Sequence, residues 1–498
     1  MLFNSLHFLI YFPIVLLLYF LIPVRFRWVL LLVAAYYFYA TWQVPLPKDF
    51  TFFGEKLTNP LLITLLQARY TLLLLGLSVI NYFFGIWIGE ARNEKIRNTI
   101  FTLSVLTNVG ILFYYKYYNF FINNVSVAVS WFGADINLPR ADVILPLGIS
   151  FFVFQKIAYN YEVYKRRFEP ERNFWMFLVF SSFFPQLIAG PIERPQNLLP
   201  QLNNLKPFDY SEAVMGLRQI LWGMFKKVVV ADRLTYFVDI VYRNPENYHG
   251  WAVIVATLFF TFQIYCDFSG YSDIALGTAR MMGIHLMTNF RTPYFAKSIQ
   301  EFWSRWHISL STWFRDYLYI PMGGNRVSVP RWIFNLFLIF MVSGVWHGAN
   351  WTFIVWGFIH GVFNTAEALN KKYNYFPFKV PGFLQRVYMF VVVIFAWIFF
   401  RAASLSDAFT VIKNMFVFNS DWFNEIRNLE ATAFLNFLLG FPLIALLLTL
   451  ETWEQNERLQ NLFVSNKTVR YLSYIMLCVI IAFFGVFVNQ GSFIYFQF

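Results

Sequence analysis

WIFNLFLIFMVSGVWHGANWTFIVWGFIHGVF (332–363) is apolar except at a few positions, chiefly Ser343, His347, Asn350, Thr352 and His360. About 20 apolar residues cross a bilayer, so this stretch is long enough to enter one. A titratable ring at that depth is costly, and it usually serves a function. Gly348 can end one helix and Asn350 can cap the next. A break there leaves backbone groups open around the His347 imidazole, with Trp346 and Trp351 flanking it. That describes the wall of a pocket. The residues alone leave His347 open between this role and plain packing.

The same character extends along the chain. Of 498 residues, 58% are hydrophobic and only 13% charged, and aromatics reach 22%. A soluble chain carries roughly twice that charged fraction. The net charge of +12 does not indicate nucleic-acid binding, because Lys and Arg flank apolar runs, as in membrane proteins. The two cysteines, Cys266 and Cys478, lie in apolar surroundings and make neither a disulfide framework nor a metal motif. No metal and no permanently bound cofactor is expected. The N-terminus lacks the positive region and small-residue cleavage site of a removable signal, and reads as a retained span.

Length and polarity place candidate spans near 7–23, 27–43, 70–90, 99–121, 143–163, 174–190, 213–231, 251–281, 332–346, 350–368, 384–401, 432–450 and 469–489. The runs near 52–66 and 303–319 read as interfacial or re-entrant. The fold class is therefore all-α: a polytopic membrane protein of about 11–13 hydrophobic segments. Arg25 and Arg27, then Arg92, Lys95 and Arg97, then Lys165, Arg166, Arg167 and Arg172 fall on one side if each segment crosses once. That side is expected to be cytoplasmic, with the N-terminus outside. Pro146-Leu147-Gly148, Pro185, Gly190-Pro191, Gly270 and Gly344 interrupt apolar runs. They imply kinked helices or a cavity inside the bundle.

EFWSRWHISLSTWFRDYLYIP (301–321) holds a second histidine, His307. Read as one helix over 303–317, it puts Trp303, Trp306, Leu310, Trp313, Phe314 and Tyr317 on a broad aromatic face. Arg305, Ser309, Thr312 and Asp316 line the opposite face. His307 falls at the edge of the aromatic side, beside Trp303 and Phe314, and periodicity favours a packed ring. In YCDFSGYSDIALGTAR (265–280), Asp273 and Arg280 share a helix face, and an internal ion pair joining two segments is the expected use. The alternative is a polar lining for an acceptor path. His360 reads as a helix-packing residue, and His7, His249 and His285 are weak candidates.

A neutral histidine can take the proton of a hydroxyl as its oxygen attacks an acyl carbon. Two histidines suit acyl transfer: one activates the acceptor, the other orients or polarises. No nucleophile elbow, zinc helix, P-loop or dinucleotide fingerprint competes with this chemistry.

FFPQLIAGPIERP (183–195), YCDFSGYSDIALG (265–277), FWSRWHISLSTWFRDYLYIPMGG (302–324) and VSGVWHGANWTFIVWG (342–357), with MLFNSLHFLIYFPIV at the start and FIYFQF at 493–498, resemble the membrane-bound O-acyltransferase family. They are most similar to its branch with the membrane subunit of alginate O-acetyltransferase. The resemblance implies one polytopic domain over 1–498, with its motif core near 143–368, around a central funnel. It carries the catalytic histidine onto His347 and the second histidine onto His307. Arg305, Asp316, Asn350, Trp303 and Trp346 become candidates for positioning substrate. It further implies acetyl-coenzyme A or another acyl thioester as cytoplasmic donor. The acceptor would be an exported or cell-surface polysaccharide such as alginate, reached through extracytoplasmic partner proteins, in the cell (inner) membrane. D-alanyl transfer to teichoic acid, peptidoglycan O-acetylation and a transporter subunit without chemistry remain the rival expectations.

Overall fold

The computed structural model describes every residue except 42–50, 53–54, 57–59, 135, 137, 142–144, 376–379, 419–421, 457–464, 488–492 and 495–498. The regular structure of the described chain is helical, apart from a two-residue antiparallel pair, Thr51–Phe52 with Glu55–Lys56. Among the described residues, seven helices are long and apolar enough to cross a membrane. The expected run at 251–281 is the helix Trp251–Met281, and most of it is buried. At the other extreme, Lys467–Phe484 is mostly exposed, with Ile481 its one buried side chain among the described residues. The run at 174–190 is not one span: it breaks at Phe183, between Phe174–Ser182 and the single turn Phe184–Leu187. Residues 60–66, expected at the interface, begin the helix Pro60–Glu90.

The chain forms two compact units, Met1–Ile220 with Ala275–Met287, and Leu221–Ile274 with Thr288–Phe498. In the first, buried amides join three helices. Asn108 Nδ2 and Asn160 Nδ2 both donate to Asn81 Oδ1 at 2.7 Å. Such bonds join helices where apolar surface alone gives no preference over lipid. Glu193, from the resemblance motif, is also buried here. It accepts from Met287 N at 2.5 Å and from Asn197 Nδ2 at 2.7 Å, and ties two loops together. Burial pushes its pKa up to about 7.

In the second unit, Val329–His347 and Trp351–Tyr373 form a tight helical hairpin. Glycine permits this closeness. A Cβ on Gly344 would lie 2.4 Å from the Phe353 carbonyl oxygen, and one on Gly357 would lie 2.4 Å from that of Phe340. Gly344 thus serves helix approach rather than a kink, and Gly270 does the same. A Cβ on Gly270 would meet Gly223 O at 2.8 Å, and one on Gly223 would meet Gly270 O at 2.6 Å. Gly148, by contrast, is a true break, with φ +70° just before the helix Ile149–Tyr164. Gly344→Ala is expected to force the hairpin apart and cost about 1–3 kcal/mol, the usual range for overpacking. A thermal unfolding curve in detergent checks this, and an unchanged midpoint would refute the close approach.

Candidate active site

His347 is the last residue of the helix Val329–His347 and is almost fully buried. Gly348 ends that helix in extended backbone, and the Asn350 side chain caps the next by accepting from Thr352 N at 3.1 Å. The expected break is present. The His347 ring lies 4.9 Å from Trp346, 4.9 Å from Trp356 and 5.2 Å from Phe400. That end of a helix carries the negative pole of the backbone dipoles.

The 303–317 stretch is not one helix. It breaks into Ile299–Arg305 and Ile308–Phe314. Between them Trp306 is extended and His307 adopts φ 43°, ψ 53°. A left-handed conformation is uncommon for a residue with a Cβ and costs of order 1–3 kcal/mol, so surrounding bonds must hold it. They come from Asn289. Its carbonyl accepts from Ile308 N at 2.9 Å, and its Oδ1 accepts from Ser309 Oγ at 2.6 Å and Ser309 N at 3.3 Å. Asn289 Nδ2 in turn donates to Ser272 Oγ at 3.2 Å. Periodicity assumed a continuous helix and placed His307 beside Trp303 and Phe314. The break instead turns it toward Phe268, ring to ring at 4.6 Å, and toward Trp346 at 6.2 Å. His307 is fully buried, and burial pushes its pKa down to about 3. It therefore stays neutral at physiological pH. Both histidines thus lie against the Trp346 indole.

The remaining sequence candidates divide. Trp303 and Trp346 join the aromatic wall. Arg305 is paired with Glu301 at 2.6 Å, Asp316 with Arg315 at 2.7 Å, and Asn350 serves as a cap while donating to Ala403 O at 2.8 Å. The expected ion pairing between segments is made, with each residue bonded to a different segment. Asp273 pairs with Lys226, and Arg280 pairs with Glu212 at 2.8 Å. Next to that first pair, Lys227 sits between Asp232 and Asp267, 2.7 Å from each. Asp267 Oδ2 also accepts from Ile494 N at 2.6 Å, and Phe493 packs on Tyr271 and Phe268 at 4.8 and 5.9 Å. Phe268 thus joins the FIYFQF segment to His307. The rest of that segment, 495–498, lies outside the described residues.

His360 packs among aromatic rings, as its sequence reading expected, and Asn289 adds contacts that the sequence did not announce. His360 lies one helical turn beyond Trp356, and the two rings are 4.9 Å apart. Its Nδ1 accepts from Trp303 Nε1 at 3.3 Å. Its four-residue spacing from Trp356 was a usable signal. Asn289 gave no signal, because its role depends on a break that periodicity hides. Asn289→Ala removes the two side-chain bonds to Ser309 in the 307–309 turn and the bond to Ser272, while the backbone bond from Ile308 N remains. It is expected to lower the turnover number about 10-fold or more, with little change in KM, because displacing a reacting group by ångströms is costly. Steady-state kinetics check this, and an unchanged turnover number would show that the turn is held without Asn289.

Comparisons with known proteins identify the family. The membrane-bound O-acyltransferase family profile matches residues 72–406. The chain is 36% identical over 452 residues to the probable alginate O-acetylase AlgI of Azotobacter vinelandii, covering 89% of this chain and 84% of that protein. It is 36% identical over 400 residues to the peptidoglycan O-acetyltransferase of Helicobacter pylori, covering 74% of each. Similarity to the teichoic acid D-alanyltransferase of Bacillus subtilis is 31% over 258 residues, covering 48% of this chain and 64% of that protein. By this match over 72–406, its relatives and its spanning helices, this chain belongs to the membrane-bound O-acyltransferase family and is a multi-pass membrane O-acyltransferase.

Proposed function

We propose that this enzyme moves acetyl groups from a cytoplasmic acyl thioester, acetyl-coenzyme A or a carrier-protein thioester, to hydroxyls of an exported or cell-surface polysaccharide such as alginate. The observation that carries the reading is the two buried imidazoles against one indole at two helix breaks, in a chain alike to alginate O-acetylases over nearly its whole length. His347 takes the hydroxyl proton as the oxygen attacks the acyl carbon. The C–S bond then breaks, and the thiolate leaves with that proton. His307, neutral and held by Asn289, orients the reacting groups. The N-terminus lies outside the inner membrane, and extracytoplasmic partners deliver the polymer.

Peptidoglycan acetylation is the second reading, supported by the 74% coverage of the Helicobacter enzyme. D-alanyl transfer is less favoured, because that likeness covers under half of the chain. The test supplies purified protein with acetyl-coenzyme A and, separately, a D-alanyl carrier protein. Alginate oligomers, peptidoglycan fragments and teichoic acid serve as acceptors. Acetyl ester on alginate supports the proposal. Ester on peptidoglycan alone selects the second reading, and D-alanyl ester alone overturns acetyl transfer.

A further inference from the structure

The helix Trp351–Tyr373 carries polar groups at every fourth position of one face: Thr352, Trp356 and His360. All three are 0% exposed. Among the described residues, Thr352 Oγ1, Trp356 Nε1 and His360 Nε2 have no hydrogen-bond partner. A buried polar atom left unpaired costs about 1–3 kcal/mol, and folded proteins tolerate few. Here three fall on one helical stripe, in a packed aromatic setting beside His347. Phe and Leu would fill the same space without stranding an N–H.

The protonation of the His360 ring follows from its neighbour. An indole N–H only donates, so His360 Nδ1, bonded to Trp303 Nε1 at 3.3 Å, is an acceptor. In a neutral imidazole the proton then sits on Nε2. Trp356 Nε1 and His360 Nε2 are therefore both N–H donors. They belong to rings 4.9 Å apart, and the Trp356 ring stands edge-on to His347 at 4.9 Å. Unspent donors of this kind beside a general base suit an oxygen on which negative charge grows.

We propose that Trp356 Nε1–H and His360 Nε2–H hold the carbonyl oxygen of the acyl thioester beside His347, with Trp303 as the positioning residue that fixes the His360 tautomer. This rests on the acyl-transfer reading above and deepens it. As the hydroxyl oxygen bonds to the acyl carbon, its proton passes to His347. The carbonyl π pair moves onto oxygen, where the two N–H groups receive it. The pair returns as the C–S bond breaks, and the thiolate takes the proton from His347. Atoms and charge balance, and no further reactant is needed.

Trp356→Phe keeps an aromatic ring and removes the donor together with part of the ring volume, which is why the carbonyl-preference readout below is needed. His360→Phe removes the second donor, while His360→Gln keeps an N–H near the Nε2 position. The experiment measures thioester consumption by full-length protein in detergent, with acetyl-coenzyme A and acetylated carrier protein as probes. It also compares binding of acetyl-coenzyme A with S-ethyl-coenzyme A, which lacks the carbonyl. Trp356→Phe and His360→Phe are expected to lower the turnover number about 10²-fold or more with little change in KM. His360→Gln should recover part of the loss. Wild-type protein should prefer the carbonyl ligand, and Trp356→Phe should lose that preference, which a merely structural defect would not do. Wild-type turnover that falls in His347→Ala but persists in Trp356→Phe and His360→Phe overturns the donor pair alone. Absence of wild-type turnover on both probes overturns the acyl-transfer reading and the donor pair together.

Discussion

His347→Ala is expected to reduce acyl transfer by about 10²–10⁴-fold, the range that a positioned general base supplies. The ring packs against Trp346, Trp356 and Phe400, so the substitution leaves a gap among aromatic groups. A control for folding is therefore needed: the variant should elute from a sizing column in detergent as wild type does. Added imidazole entering that gap should restore part of the rate, which repair of a mere packing defect would not do. His307→Ala should also lower the rate, by loss of orientation rather than of a base. Full turnover in both folded variants would place the chemistry elsewhere. The folded-state pKa of His307 is lowered below its unfolded value, so protonation opposes folding. Its contribution to stability is intact above about pH 6.5 and declines as pH falls below that value.

Lys227→Ala is expected to be the most destabilising single substitution in the second unit. Lys227 is 4% exposed, and its two carboxylate partners, Asp232 and Asp267, are 1% and 3% exposed. Removing the cation leaves two buried carboxylates facing each other without compensation. Breaking a buried pair in this way costs about 3–5 kcal/mol, whereas replacing all its members with apolar groups is often neutral. Loss of folded protein in detergent, with partial recovery in Lys227→Met/Asp232→Asn/Asp267→Asn, is the expected result. A wild-type unfolding midpoint for Lys227→Ala would show that the carboxylates need no cation. The effect should extend beyond stability, because Asp267 also holds Ile494 N and its neighbour Phe268 touches His307. Lys226→Ala should be milder, since Asp273 is partly open to solvent.

The membrane character, the all-α class and the spans at 251–281 and 384–401 were legible because they depend on run length and polarity, and these are local properties. The helix end at His347 was legible for a similar reason: Gly348 and Asn350 carry their stop and cap signals in their own covalent structure. His307 shows the limit. Helical periodicity assumes continuity, and nothing in RWHIS announces a left-handed residue. The break exists because Asn289, eighteen residues earlier in the chain, supplies bonds that offset its strain.

By itself, then, the sequence determined that this protein lies in a membrane, that two histidines occupy costly apolar settings, and, through long motifs, which family it resembles. Only the tertiary structure decided which groups meet. It chose Lys226 as the partner of Asp273 and Glu212 as that of Arg280, placed both imidazoles against Trp346, and set His360 against Trp356. The physical reason is the reach of each interaction. Hydropathy and capping act within a turn or a span. Ion pairs, ring contacts and buried hydrogen bonds are settled by whichever helices the glycines allow to approach.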